Sequence, residues 1–338
     1  MCRVVILCFV ALVCCEVSAQ DSLRAYYIQD YPERFSLWPV LKQRSLSFAV
    51  RDRNRHLPRV NYQPNNSFLL GVGGYVFDLA VEATVAIPLN EKSKYIYGQS
   101  DVRDLQVNLL AKSFAADVYY QKYAGFYIED KRTLIPTGFP YPQRGDIDTR
   151  NFGINGIYVF NNRKFSLRSA FNYVDQQMRS MGSFILGGTI NSFKLNADSV
   201  VLTEVSRAEL GEGAAFNELR NTTISITPGY SYTFIWRNFF VNGTFAIGPA
   251  HHWIRYSEAG VEQRDITINS TSYLRLGIGY NSNRYFGGIG FMAQSRTILY
   301  GDLQLVNTTS MFRMVAGYRF RKIGILKKRA SDFIPKGF

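Results

Sequence analysis

From Leu46 to Phe320 the chain alternates apolar and polar positions with a period of two. In "LRLGIGYNSNRYFGGIGFMAQ", Leu274 to Gln294, Leu274, Leu276, Ile278 and Tyr280 share one face, and Arg275, Gly277, Gly279 and Asn281 share the other. After "SNR" the alternation resumes, so the segment predicts a β-hairpin. "SLSFAVR" puts Leu46, Phe48 and Val50 on one face, and "DLAVEATVAI" sets Val81, Ala83 and Val85 against Glu82 and Thr84. "RDLQVNLLAK" sets Leu105, Val107 and Leu109 against Asp104, Gln106 and Asn108. "NFGINGIYVF" and "KFSLRSAFNY" continue the pattern across the turn "NNRK". In "TISITPGYSYTFIWR", Ile224, Ile226, Tyr230, Tyr232, Phe234 and Trp236 oppose Ser225, Thr227, Gly229, Ser231 and Thr233. No helical period of useful length interrupts this, and no composition break marks a second domain.

Connection lengths alternate too. Tight joins are expected near Phe77-Asp78, Lys112-Ser113, Asn161-Asn162, Arg237-Asn238 and Ser282-Asn283, with long polar segments around 54–66, 88–102, 127–149, 256–266 and 300–309. Short turns at one end and long loops at the other predict an all-β fold, a transmembrane antiparallel up-and-down β-barrel. Counting "SFLLGVGGYVF" and Val200 to Ser206 as strands gives about 14, with 12 as the alternative. A barrel that wide is too large to fill with side chains, so its apolar face needs lipid and its polar face a wet lumen. Aromatic residues near strand ends, such as Trp236, Trp253 and Tyr318, fit the interfacial girdles.

Composition refines the picture at the N-terminus. "VVILCFVALVCC" follows Met1-Cys2-Arg3 and precedes Val17-Ser18-Ala19, which reads as a signal peptide over 1–19. A periplasmic segment is expected over 20–43, the barrel over 44–320 and a basic periplasmic tail over 321–338. All four cysteines (Cys2, Cys8, Cys14 and Cys15) lie in the signal, so thiolate chemistry and Cys-ligated metal are excluded from the mature chain. The net charge of +13 suits anionic headgroups or solutes in an exported protein rather than nucleic acid. The last strand, "MFRMVAGYRF", resembles the aromatic-ended strand by which bacterial assembly machinery engages outer-membrane barrels. Outer-membrane lipids and that machinery are therefore the expected partners.

The block "YYIQDYPERFSLWPVLKQRSLSFAVRDRNRHLPRVNYQPNNSFLLGVGGYVFDLAV" resembles the start of the family called domain of unknown function 4421. "RSMGSFILGG" and "PGYSYTFIWRNFFVNGTFAIGPA" extend the likeness over nearly the whole mature chain. The resemblance implies an outer-membrane barrel from a Bacteroidota-like bacterium and carries no activity.

Candidate chemistry is sparse. His251 and His252 are adjacent on a strand and face opposite sides, so they cannot grip one metal together. No motif joins a serine to either histidine, and no catalytic residue, metal site or cofactor is expected. By parity, Arg275, Arg296, Arg313 and Arg319 point into the lumen from the last strands, with His252; Glu82, Asp104 and Asp117 point inward from earlier ones. A pore with basic and acidic walls would favour small anionic or zwitterionic solutes, whereas the same residues could form a salt-bridged network bracing the barrel. A passive channel or transporter is the expected role. The alternatives are a barrel-embedded lipid-modifying hydrolase and a structural or adhesive barrel plugged by the 127–149 loop or by "YYIQDYPERFSLW".

Overall fold

The period-two pattern produces an antiparallel sheet that closes on itself. A computed structural model describes residues 21–76, 79–210, 215–258, 260–322 and 324. The expected signal peptide, the join at Phe77-Asp78 and the tail beyond residue 324 lie outside the described residues. In chain order, helix α1 (Asp21–Tyr27) and strand β1 (Ile28–Gln29) precede β2 (Arg34–Asp52), β3 (Val60–Gln63), β4 (Leu69–Val76) and β5 (Leu79–Ala86). Helix α2 (Glu91–Tyr97), β6 (Asp101–Leu110), β7 (Phe114–Asp130), β8 (Gln143–Val159), helix α3 (Leu167–Phe171), β9 (Gln176–Gln177) and β10 (Met181–Asn196) follow. Helix α4 (Glu204–Leu210), β11 (Phe216–Trp236), β12 (Phe239–Glu258), β13 (Val261–Asn281), β14 (Tyr285–Tyr300) and β15 (Leu303–Arg321) complete the fold.

Ten strands form the ring, closed by β15 pairing with β2; β4, β5 and β6 lie outside it. This replaces the expected 14 or 12. Val200 to Ser206 is not a strand, because its chain leads into α4. "KFSLRSAFNY" is not one either: after Asn161-Asn162 the chain forms α3 and β9, not a tight join. Its apolar residues suit a short helix buried on several sides as well as they suit a strand. The barrel begins at Arg34 rather than at residue 44.

The expected long loops at 256–266 and 300–309 are instead the ends of long strands. Arg255 pairs with Arg264 inside the β12–β13 ladder, which runs on to Glu258 and Val261, and the β14–β15 ladder continues to its last pair, Tyr300 with Leu303. Strands rising beyond a bilayer need no apolar outer face, so their mixed sequence reads as loop although the hydrogen bonding continues. Below them an apolar belt encircles the sheet, including Val72, Val85, Leu105, Phe184, Ile226, Phe245 and Ile278, all exposed. On β8 it spans Phe152 to Tyr158 and continues to Phe160 just past the strand, with Arg150 above it. The ring closes through the β15–β2 pairing, and such a belt is stable against lipid rather than water.

The interior follows the expected parity only in part. Along β11, Asn221, Thr223, Ser225, Thr227, Ser231 and Thr233 are buried while Ile224, Ile226, Tyr230 and Phe234 are exposed. Toward the end opposite the chain termini the inside turns apolar. Leu46, Phe48, Val50, Tyr62, Phe193, Leu219 and Leu305 form one cluster, joined by Val201, Leu202 and Leu210 from the 197–210 insertion. Each such side chain contributes about 1.5–3 kcal/mol on full burial. The lumen is therefore not wet throughout, and a ten-stranded ring is narrow enough for side chains and inserted segments to fill.

Candidate functional site

The sheet closes in two different ways along its height. Far from the termini, β3 bridges β2 and β7, with Phe48 opposite Tyr62 and Gln63 opposite Tyr127. Nearer the termini, β2 pairs instead with β4 from Ser36–Tyr75 to Lys42–Leu69, β4 pairs with β5, and β6 pairs with β7. Among the described residues β5 and β6 do not pair with each other, so a seam runs between them. Its upper end is tied by Asn65, whose side-chain amide donates to the carbonyls of Ser93 (3.2 Å) and Gly98 (2.7 Å) around α2. Asn90 caps that helix by accepting from Ser93 N at 2.7 Å, and Gly98 closes it at φ 76°, in the left-handed region.

Behind the seam lies a cavity of about 590 Å³, lined by both edge strands and by the facing wall. Glu82 of β5 accepts from Trp38 Nε1 at 3.0 Å, Lys42 Nζ at 3.2 Å and Arg313 at 2.5 Å. Asp104 of β6 pairs with Arg44 at 2.7 Å and accepts from Gln121 (2.8 Å) and Tyr123 (2.9 Å). Each edge strand is thus pinned to the lumen by its own carboxylate, an arrangement that protects edges from lateral pairing. Gly73 makes room for this: a Cβ there would meet the Trp38 indole at 2.2 Å. Arg275, 8 % exposed, stacks over Phe171 (5.1 Å) and Tyr273 (5.0 Å). Its carboxylate neighbour Asp117 stands at 3.7 Å, beyond hydrogen-bond reach, and its buried Nε has no partner.

Arg296 and Arg319 sit elsewhere. Arg296 is fully buried in a polar layer above the cavity, donating to Tyr119 Oη (2.7 Å), Gln294 Oε1 (2.9 Å) and Asn307 Oδ1 (3.4 Å). Asn151, Asn191 and Gln121 continue that layer through side-chain hydrogen bonds of 2.7 Å. His252 is buried beside Thr223 Oγ1 (3.0 Å) and Asn221 (3.3 Å), while His251, on the opposite face, packs on Trp253 at 4.3 Å. Arg319 donates to the carbonyls of Ser282 and Tyr173 and lies over Tyr31 at 4.3 Å. The eight residues expected to line one lumen therefore divide into a pocket set, a polar layer and a clamp near the termini.

That clamp holds a plug which the sequence pattern did not disclose. Residues 161–180 fold into the barrel, with Phe165 and Leu167 packed against Ile157, Ile185 and Tyr273, and Ala170 and Tyr173 against Trp38, Phe240 and Phe286. Asp175, 1 % exposed, accepts from Ser166 Oγ (2.7 Å), Arg168 (2.8 and 3.0 Å) and Arg24 (3.3 Å). The N-terminal segment covers it through the β1–β9 pairing, Ile28 opposite Gln177. At the other end, Arg144 binds Asp146 by two 2.7 Å hydrogen bonds and donates to the Val200 and Val201 carbonyls at 2.8 Å. Asp146 stands above the apolar belt, and the Arg144 hydrogen bonds bring its carboxyl down to about 2.

The model of the family described as Domain of unknown function (DUF4421) matches residues 19–320. No curated protein matches the chain. Among solved structures it is similar to the outer membrane protease OmpT of Escherichia coli, at 9% identity and a TM-score of 0.40 over 86% of this chain and 97% of that one. Ail, the attachment invasion locus protein of Yersinia pestis, matches at 11% identity and a TM-score of 0.24, covering 85% and 99%. A Pseudomonas aeruginosa FadL homologue matches at 9% identity and a TM-score of 0.27, covering 85% and 90%. No residue role is carried over from any of them.

Proposed function

The chain belongs to the family described as Domain of unknown function (DUF4421), and for this member we propose an outer-membrane barrel that binds a small ligand in the pocket of Glu82, Asp104 and Arg275 instead of conducting solutes along its axis. The observation that carries this reading is the occupancy of the lumen. An apolar cap with Val201, Leu202 and Leu210 fills one end, and the 161–180 plug fills the other. Between them Arg296, Asn151, Asn191 and Gln294 form a buried hydrogen-bonded layer. The passive channel expected from the lumenal arginines needs a clear axial path, and the engagement of Arg296, Arg313 and Arg319 supports their bracing role instead. We assign the terminal end, with its plug, to the periplasm.

Planar-bilayer conductance of the refolded mature protein under a salt gradient tests this reading. A silent membrane is expected once heat-modifiable gel mobility shows that the barrel has folded. A steady, anion-biased current would overturn the proposal and restore the open channel.

A further inference from the structure

We propose that the pocket opens sideways into the bilayer between β5 and β6 and takes the head of a single-chain amphiphile whose head is anionic. The inference rests on the axially closed reading above and adds the route and the ligand class. Both edge strands lie in the apolar belt, where Val81, Val85, Leu105 and Val107 are more than half exposed. An open sheet edge facing hydrocarbon leaves peptide groups unsatisfied at several kcal/mol each, and is tolerated only beside protein or a polar cavity. Here the cavity supplies that setting. Its lining includes outward residues of both strands, Val81, Leu105 and Val107, together with the inward Glu82 and Asp104, so it passes from lumen to outer face.

The chemistry of the lining selects the ligand. Four cations (Lys42, Arg44, Arg275 and Arg313) face three carboxylates (Glu82, Asp104 and Asp117). Glu82 and Asp104 are taken up by close partners, and Asp117 stands 3.7 Å from Arg275. Arg275 therefore keeps spare donor capacity while more than nine-tenths buried, its guanidinium carbon 5.1 Å and 5.0 Å from the Phe171 and Tyr273 ring centres. A guanidinium in that state binds a carboxylate or phosphate strongly. The volume of about 590 Å³ lies within the roughly 300–1,000 Å³ typical of small-molecule sites. The apolar lips leave the ligand's chain in the lipid.

Trp38 lines the pocket and reports on it; Trp236 and Trp253 lie in the outer belt. The full mature chain carrying Trp236→Phe and Trp253→Phe, reconstituted in neutral lipid nanodiscs, is titrated with dibromostearate, a brominated lysophosphatidic acid and dibromostearate methyl ester. Saturable quenching of Trp38 by an anionic probe is expected, with the ester at least about tenfold weaker. Arg275→Gln should weaken the anionic probes by about 10–100-fold, the equivalent of a hydrogen bond to a charged group. A Val107→Cys/Ala83→Cys pair, measured before and after bridging with a short bis-maleimide, tests the route in one folded sample, and bridging should abolish quenching. Equal quenching by the ester, indifference to both Arg275→Gln and the bridge, or displacement of the probe by inorganic phosphate alone would overturn the inference. Absent quenching in a protein that also conducts sinks the axially closed reading as well, whereas absent quenching in a silent one sinks the lateral site alone.

Discussion

Replacing Asp175 tests whether the plug is a unit held by buried charge. Asp175 is 1 % exposed and ion-pairs with Arg168 and Arg24, whose side chains are 12% and 8% exposed. Removing one partner of a buried pair costs about 3–5 kcal/mol, because the remaining cation stays desolvated. Asp30, 3.3 Å from Arg24 and 4.0 Å from Arg168, recovers part of that, which puts Asp175→Ala near the lower bound. About 3 kcal/mol corresponds to roughly a 150-fold rise in the open population of the plug. All four cysteines precede residue 20, so in a chain starting at Gln20 Ala170→Cys, at a buried plug position, makes a single reporter. When closing outpaces labelling, the maleimide reaction rate follows the open fraction. Asp175→Ala in that background should speed labelling by about two decades, with urea unfolding of the barrel little changed. A rate within about fivefold of the parent would refute the charge-clamp reasoning. A rate increase matched by an equal loss of global stability would refute the plug as a separate unit.

Other consequences follow from single sites. Gly73→Ala drives a methyl into the Trp38 indole and should cost about 1–3 kcal/mol in urea unfolding, with a shift in Trp38 emission as its hydrogen bond to Glu82 breaks. Asp146, lowered to about 2 against an unfolded value near 3.9, stabilises the 197–210 insertion fully above about pH 4 and loses that contribution as pH falls toward 2. Proteolysis of the insertion should therefore stay slow at pH 5 and accelerate by pH 2 with the barrel intact; equal rates would remove Asp146 as its anchor. His252→Leu leaves Thr223 and Asn221 without their ring partner and should cost about 1–3 kcal/mol by urea unfolding. If the same variant abolished a measurable ester hydrolysis by the parent, the hydrolase reading would replace the binding one.

The alternation of apolar and polar residues by itself determined that the chain is an antiparallel barrel with Ile224, Ile226 and Phe234 outside and Ser225, Thr227 and Thr233 inside, because a period of two follows directly from backbone geometry. It misjudged the number of ring strands. Strand extensions beyond the bilayer lose the outer apolar signal, while "KFSLRSAFNY" keeps the signal without entering the sheet. Parity placed Glu82, Asp104, Asp117, Arg275 and Arg313 on the inner face, but their meeting in one cavity depends on how far around the sheet each strand lies, which no local pattern encodes. Trp38, Lys42 and Arg44 lie within or just beside a stretch that reads as a periplasmic segment, so their part in the pocket was illegible. The handover of β2 from β3 to β4, and with it the seam, arises from pairings between residues distant in the chain. Tertiary structure alone decided those, because they depend on which edge each strand can reach once the ring has closed.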